Sequence, residues 1–123
     1  MSTTLEPLGG TDTYIAQDKY HQQFCADLPA EQAAVMAVTQ RPVTQEALFE
    51  PAGGEALWRS VPSWFVFGEL DRNIPAGAHH IMAERAGARR TVEIPGASHV
   101  VGISHPAEVA DLVLEAVVAP AAR

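Results

Sequence analysis

An aspartate and a histidine stand on two loops in the second half of this chain. One loop reads Gly68-Glu69-Leu70-Asp71-Arg72-Asn73-Ile74-Pro75 and the other Pro95-Gly96-Ala97-Ser98-His99-Val100-Val101, which places Asp71 and His99 28 residues apart. A carboxylate fixed beside an imidazole accepts its Nδ1 proton, sets the tautomer and stabilises the imidazolium that forms during proton transfer. The other ring nitrogen is left free to act as a base. Asp71 and His99 are therefore the candidate catalytic pair, and Glu69, nearer the preceding strand, is the second choice as acid. Such a pair needs a nucleophile within hydrogen-bond reach.

The other reactive side chains offer less. His79 and His80 are adjacent, so on a helix they point about 100° apart and do not form a metal pair of i, i+4 type. A solvated helix face is the expectation for them. His105 precedes Pro106 and flanks a helix start, while His21 has Tyr20 and Phe24 as neighbours. No metal site and no cofactor site is identified. Cys25 has no base beside it in sequence and reads as a buried packing residue. Trp58 and Trp64 read as core, whereas Phe24 and Met36 are candidates for a substrate-facing surface.

The loops are placed by the elements around them. Ser63-Trp64-Phe65-Val66-Phe67 is a short apolar run of β-favouring residues bounded by Pro62 and Gly68, as in a strand buried on both faces. Pro75 then opens a helix with Ala78, Ile81, Met82 and Ala86 at helical spacing and Gly87 at its end. Thr91-Val92-Glu93-Ile94 alternates like a half-exposed strand. Pro106 opens a last helix whose face is Val109, Leu112, Val113, Ala116 and Val117. Two strands joined through a helix lie parallel and belong in a larger sheet, and the loops leaving their carboxyl ends are where functional groups collect. The first half is helical in character. Tyr14, Ile15, Tyr20 and Phe24 share parts of one face, and a second helix runs from Ala30 to about Thr39 through Ala33, Ala34, Met36 and Ala37 until Arg41-Pro42. The alanine-rich end, Ala116 to Arg123, is expected to fray.

The run Gly68-x-x-Asp71-x-x-Ile74-Pro75, then a helix, a strand and Gly96-x-Ser98-His99, resembles the acid and histidine motifs of the α/β-hydrolase superfamily in their usual order. The resemblance covers residues 58 to 118, and Phe24 to Pro42 looks more loosely like the helical cap segment of small bacterial ester-hydrolase-like members. It implies an α/β fold in which residues 1–57 are a tail and cap-like segment and residues 58–123 are the C-terminal part of the core. It also implies Asp71 as triad acid, His99 as general base and a small ester-like substrate. The family's nucleophile is a serine in a GxSxG elbow. Ser2, Ser60, Ser63, Ser98 and Ser104 all lie outside that motif, and the first oxyanion-hole loop has no counterpart either. The nucleophile is expected from sequence outside this chain, such as an N-terminal half, with a homo-oligomer as another way to complete the sheet. The superfamily spans ester cleavage, dehalogenation, epoxide opening and cofactor-free peroxidation, which differ chiefly at the missing parts. A non-catalytic, partner-dependent fragment of the same fold is the alternative.

Composition agrees with a folded domain. Of 123 residues, 47% are hydrophobic and 19% charged, which is globular in type. Eight Lys and Arg against 15 Asp and Glu give a net charge of -7 with no basic cluster, so nucleic acid is not an expected partner. No stretch of about 18 apolar residues and no basic start followed by an apolar run occurs, so neither a membrane span nor an export signal is expected. The single cysteine excludes an internal disulfide framework, and a reducing, cytoplasmic setting is the expectation.

Overall fold

The computed structural model describes residues 2–4 and 11–120, arranged in two sheets with helices between and around them. The smaller sheet is antiparallel, in the order β1 (Ser2–Thr4), β2 (Thr11–Thr13), β3 (Val43–Thr44), with Thr3 opposite Asp12 and Thr13 opposite Val43. These strands depart from the helical first half expected from sequence. At two or three residues each they are too short to show a hydrophobic period, and their pairing alone defines them.

Between β2 and β3 lie α1 (Gln17–Phe24) and α2 (Ala30–Thr39). Tyr14 and Ile15 precede α1 rather than joining its face, and only Tyr20 of that helix is fully buried. Pro29 supplies the fixed φ that starts α2, and His21 donates from Nε2 to the Leu28 carbonyl at 2.9 Å, closing the turn between the helices. The helices meet through small residues. Ala33 and Ala37 are buried, and Ala34, expected on the same face, is exposed. With Tyr20, Cys25, Leu28 and Val100 they form the main buried cluster, flanked by Ile15, Phe24 and Met36. The Gln40 side chain accepts from the Ile15 amide at 3.0 Å and donates to the Ile15 carbonyl at 2.9 Å, tying the approach to α1 onto the end of α2.

After the short, exposed α3 (Gln45–Phe49), capped by Thr44, and a single 3-10 turn at Leu57–Arg59, the chain enters a parallel unit. It consists of β4 (Trp64–Gly68), α4 (Ala76–Arg85) and β5 (Arg90–Ile94), with Val66 opposite Val92 and Gly68 opposite Ile94. The strand, helix, strand order matches the sequence reading. Burial of β4 is weaker than expected: Phe67 and Gly68 are buried, but Trp64, Phe65 and Val66 are only half-buried. The physical reason is that β4 has β5 as its one neighbour among the described residues.

Two helix faces are also rotated from expectation. Ile81 is 68% exposed and Met82 39%, while Ala83 is buried and His79 turns inward with it. In α6 (Pro106–Val118), Leu112 is buried, Val109 and Ala116 are half-buried, and Val113 and Val117 face outward. The last turn of α6 includes Ala116, so the expected fraying does not begin there; residues 121–123 lie outside the described residues. A four-residue helix, α5 (Val101–Ser104), joins the histidine loop to α6 and was not apparent from the sequence.

Candidate active site

The two loops meet because β4 ends in a glycine. A Cβ on Gly68 would lie 2.2 Å from the Ser98 carbonyl oxygen and 2.3 Å from that of Ala97, so only a residue without a side chain lets the histidine loop cross there. Amides of the first loop then bond to the second: Glu69 N–H to the Ile94 carbonyl and Leu70 N–H to that of Ala97, each at 3.0 Å. Gly96, with φ of 71°, makes the left-handed turn after β5 that starts the histidine loop.

Asp71 is buried and fully engaged. Its Oδ1 accepts the amides of Asn73 at 2.8 Å and Ile74 at 2.9 Å, an Asx-type turn within its own loop. Its Oδ2 accepts from His99 Nδ1 at 2.7 Å and from His79 Nε2 at 3.0 Å. Burial pushes the carboxyl pKa up, but the bonds from Ile74, His79, His99 and Asn73 together outweigh it and hold the group below the ordinary carboxylate range. Asp71 is thus an acceptor in place for an imidazole. Glu69, the other acid considered, is exposed and accepts instead from the Gly96 amide at 2.9 Å.

His99 is held on both sides. Asp71 fixes Nδ1, and the ring of Phe24, from the end of α1, packs against the imidazole at 4.8 Å between centroids. Nε2 makes no hydrogen bond to another described residue, and His99 lines a cleft of about 820 Å³ with Tyr14, Tyr20, Gln23, Phe24 and Asn73. That volume falls in the range of small-molecule sites. A smaller hollow of about 540 Å³ between Tyr14–Asp18 and the end of α2 touches neither Asp71 nor His99.

The residue before His99 fastens the loop to the helical half. Ser98 is buried, its amide donates to Asp27 Oδ2 at 3.0 Å, and its hydroxyl makes a short bond to Asp27 Oδ1. Burial raises the Asp27 pKa, while the bonds from Ser98 and Ser104 bring it below its ordinary value. Arg72 donates to the Gln22 carbonyl at 3.0 Å and Gln23 to Asn73 at 3.0 Å, so the end of α1 also grips the aspartate loop.

Sequence reasoning missed two of these participants. His79 is not on a solvated face: its side chain is 13% exposed and its ring stacks on Phe67 at 4.5 Å, 9° from parallel. The only sequence signal is its place eight residues beyond Asp71, one turn into the following helix. His80 behaves as expected, exposed and bonded to Glu93 at 2.6 Å. Asp27 is separated from Ser98 by 71 residues and carries no signal. Cys25 is wholly buried, and burial, then the charge of Asp27, push its thiol pKa up, the opposite of an activated nucleophile. Phe24 lines the cleft; Met36 packs on the core instead, and Trp58 and Trp64 lie under Arg59, Arg85 and Arg89. Among the described residues no three His, Cys, Asp or Glu are grouped to hold a metal ion, and no helix is long and apolar enough to cross a membrane.

A parallel strand, helix, strand unit that brings an acid and a histidine together at its carboxyl ends is an α/β-hydrolase arrangement, and the sequence profile of the alpha/beta hydrolase family matches residues 2–112. The chain belongs to that family. Among solved structures it is similar to the crystal structure of polyneuridine aldehyde esterase, at 21% identity and a TM-score of 0.77, covering 95% of this chain and 48% of that one. A mutant of the same esterase gives 19% identity and a TM-score of 0.76, with 94% and 48% covered. The chain thus spans about half the length of the structures it matches. No curated protein matches it in sequence.

Proposed function

We propose that this chain is the acid and histidine portion of a hydrolase acting on an ester or related acyl bond, with Asp71 as triad acid and His99 as general base. The observation that carries the reading is the 2.7 Å bond from His99 Nδ1 to a buried Asp71, with the other ring nitrogen bonded to no described residue beside the cleft. In this reading His99 Nε2 takes the proton of a serine supplied by sequence outside the chain and returns it to the leaving alcohol, while Asp71 holds the tautomer and stabilises the imidazolium. Residues 1–57 serve as a cap-like segment over the core part formed by residues 58–123, and the half-buried Tyr14 and Phe24 shape a site for a small ester. The esterase among the structural neighbours agrees with an ester substrate. One buried thiol agrees with a reducing, cytoplasmic setting.

Fusing or co-expressing the chain with a matching N-terminal half that carries a GxSxG serine is expected to give ester turnover that His99→Ala abolishes. Full turnover in that variant sinks the assignment. A second reading, a non-catalytic module that folds with a partner or as a homo-oligomer, is favoured by the half-buried β4, whose one neighbour among the described residues is β5. A monomeric chain that unfolds cooperatively in sedimentation and denaturation experiments would count against it.

A further inference from the structure

We infer that His79 is a positioning residue for Asp71, a second imidazole that holds the same carboxylate oxygen to which His99 bonds. The inference rests on the reading of Asp71 as the acid partner of His99 and adds a residue outside the two loops that define that pair.

Geometry carries it. Asp71 spends Oδ1 on the two amides of its own loop and Oδ2 on the two imidazoles, at 2.7 Å to His99 and 3.0 Å to His79. The loop amides fix where the carboxylate sits, and the histidines fix how it is turned about its last torsion, so that Oδ2 faces the His99 loop. His79 is itself held: Phe67 of β4 stacks on its ring, and the rigid helix α4 carries it. Phe67 in turn meets His80 edge-on at 5.0 Å, and His80 is tied to Glu93 of β5. Through Phe67 and His79 the end of β4 is thereby connected to the carboxylate, while the His80 to Glu93 bond ties the outer side of α4 to β5.

The charged neighbours of Asp71 are otherwise occupied. On its own loop Glu69 turns to the Gly96 amide and Arg72 to the Gln22 carbonyl. From α1, Gln23 bonds Asn73 and Phe24 covers His99; from α4, His80 bonds Glu93. No Lys or Arg among the described residues forms an ion pair with Asp71, so the two histidines are its only side-chain donors there. An ionised carboxylate only accepts, so His79 donates from Nε2 whether its ring is neutral or protonated. It thereby shares charge that would otherwise go to His99 alone. Loss of this donor leaves a carboxylate that is harder to ionise and whose Oδ2 is held by His99 alone.

The test follows the Asp71 carboxyl by carbon NMR in the full chain across acidic pH, together with the low-field proton on His99 Nδ1. His79→Phe keeps the stacked ring and removes the donor; His79→Gln places an N–H donor near the position of Nε2. The inference expects the Asp71 titration midpoint to rise and the His99 Nδ1 resonance to move in His79→Phe, with both close to those of the unsubstituted chain in His79→Gln. His79→Leu gives the same donor-free comparison should His79→Phe not fold. An unchanged Asp71 midpoint in a folded donor-free variant, or a His79→Gln variant that behaves like it, overturns the inference. A changed titration without ester turnover in the extended protein removes the hydrolase reading and leaves this one; turnover with an unchanged titration does the reverse.

Discussion

Gly68→Ala is a one-carbon change whose consequence follows from the crossing of the two loops. The added Cβ would sit 2.2 Å from the Ser98 oxygen and 2.3 Å from the Ala97 oxygen, where ordinary contact begins at 3.4 Å. Both neighbours are backbone, so no side-chain rotation relieves the clash, and the loops must part by roughly 1 Å, the shortfall to normal van der Waals separation. Overpacking of this kind costs about 1–3 kcal/mol. The catalytic cost is separate: the displaced backbone carries His99, whose bond to Asp71 spans 2.7 Å. A shift of that size lengthens it beyond good geometry, and such misplacement costs up to about 100-fold in rate. Thermal denaturation of the chain should show a lower midpoint, and the His99 Nδ1 proton should lose its low-field position. A Gly68→Ala chain with unchanged melting and an unchanged His99 resonance would refute the argument that the glycine exists for the crossing.

Other substitutions probe the supports separately. Asp71→Asn should cut ester turnover in the extended protein by about 10⁴-fold, because an amide no longer enforces the required tautomer; activity within a few-fold of the parent would count against the assignment. Asp71 also makes stability depend on pH. Its folded pKa is lowered, so its contribution is complete above the ordinary carboxylate range and is lost as pH falls through the folded value. Urea denaturation at neutral and acidic pH should show less acid destabilisation in Asp71→Asn than in the parent. Asp27→Ala orphans the buried Ser98 amide, leaves its hydroxyl only the Phe24 carbonyl at 3.4 Å to donate to, and should cost about 1–3 kcal/mol in urea denaturation. A change below a few tenths of that would mean water replaces the carboxylate.

What was legible in the sequence is what local chemistry imposes. Pro75 and Gly87 bracket α4, Pro106 opens α6, and the apolar run at Trp64 to Phe67 forms a strand, because each is set by residues within a few positions. The meeting of Asp71 with His99 was legible from order and spacing, since both leave carboxyl ends of parallel strands. His79 was hidden because hydrophobic spacing points to a face of α4 rotated from the one that is buried. A histidine with a buried acceptor and an aromatic ring to stack on outcompetes Ile81 and Met82 for the inward position. The Asp27 to Ser98 bond and the pairing of β2 with β3 depend on contacts across long stretches of chain, which short-range pattern does not encode.

The central claim, that Asp71 and His99 serve a serine from outside this chain, is tested most directly by covalent labelling. The extended protein, treated with a fluorophosphonate and analysed by mass spectrometry, should carry the label on the GxSxG serine at a rate that His99→Ala lowers by orders of magnitude. Labelling of the His99→Ala protein at the parent rate, or a label on Ser98 or any other residue of this chain, would contradict it.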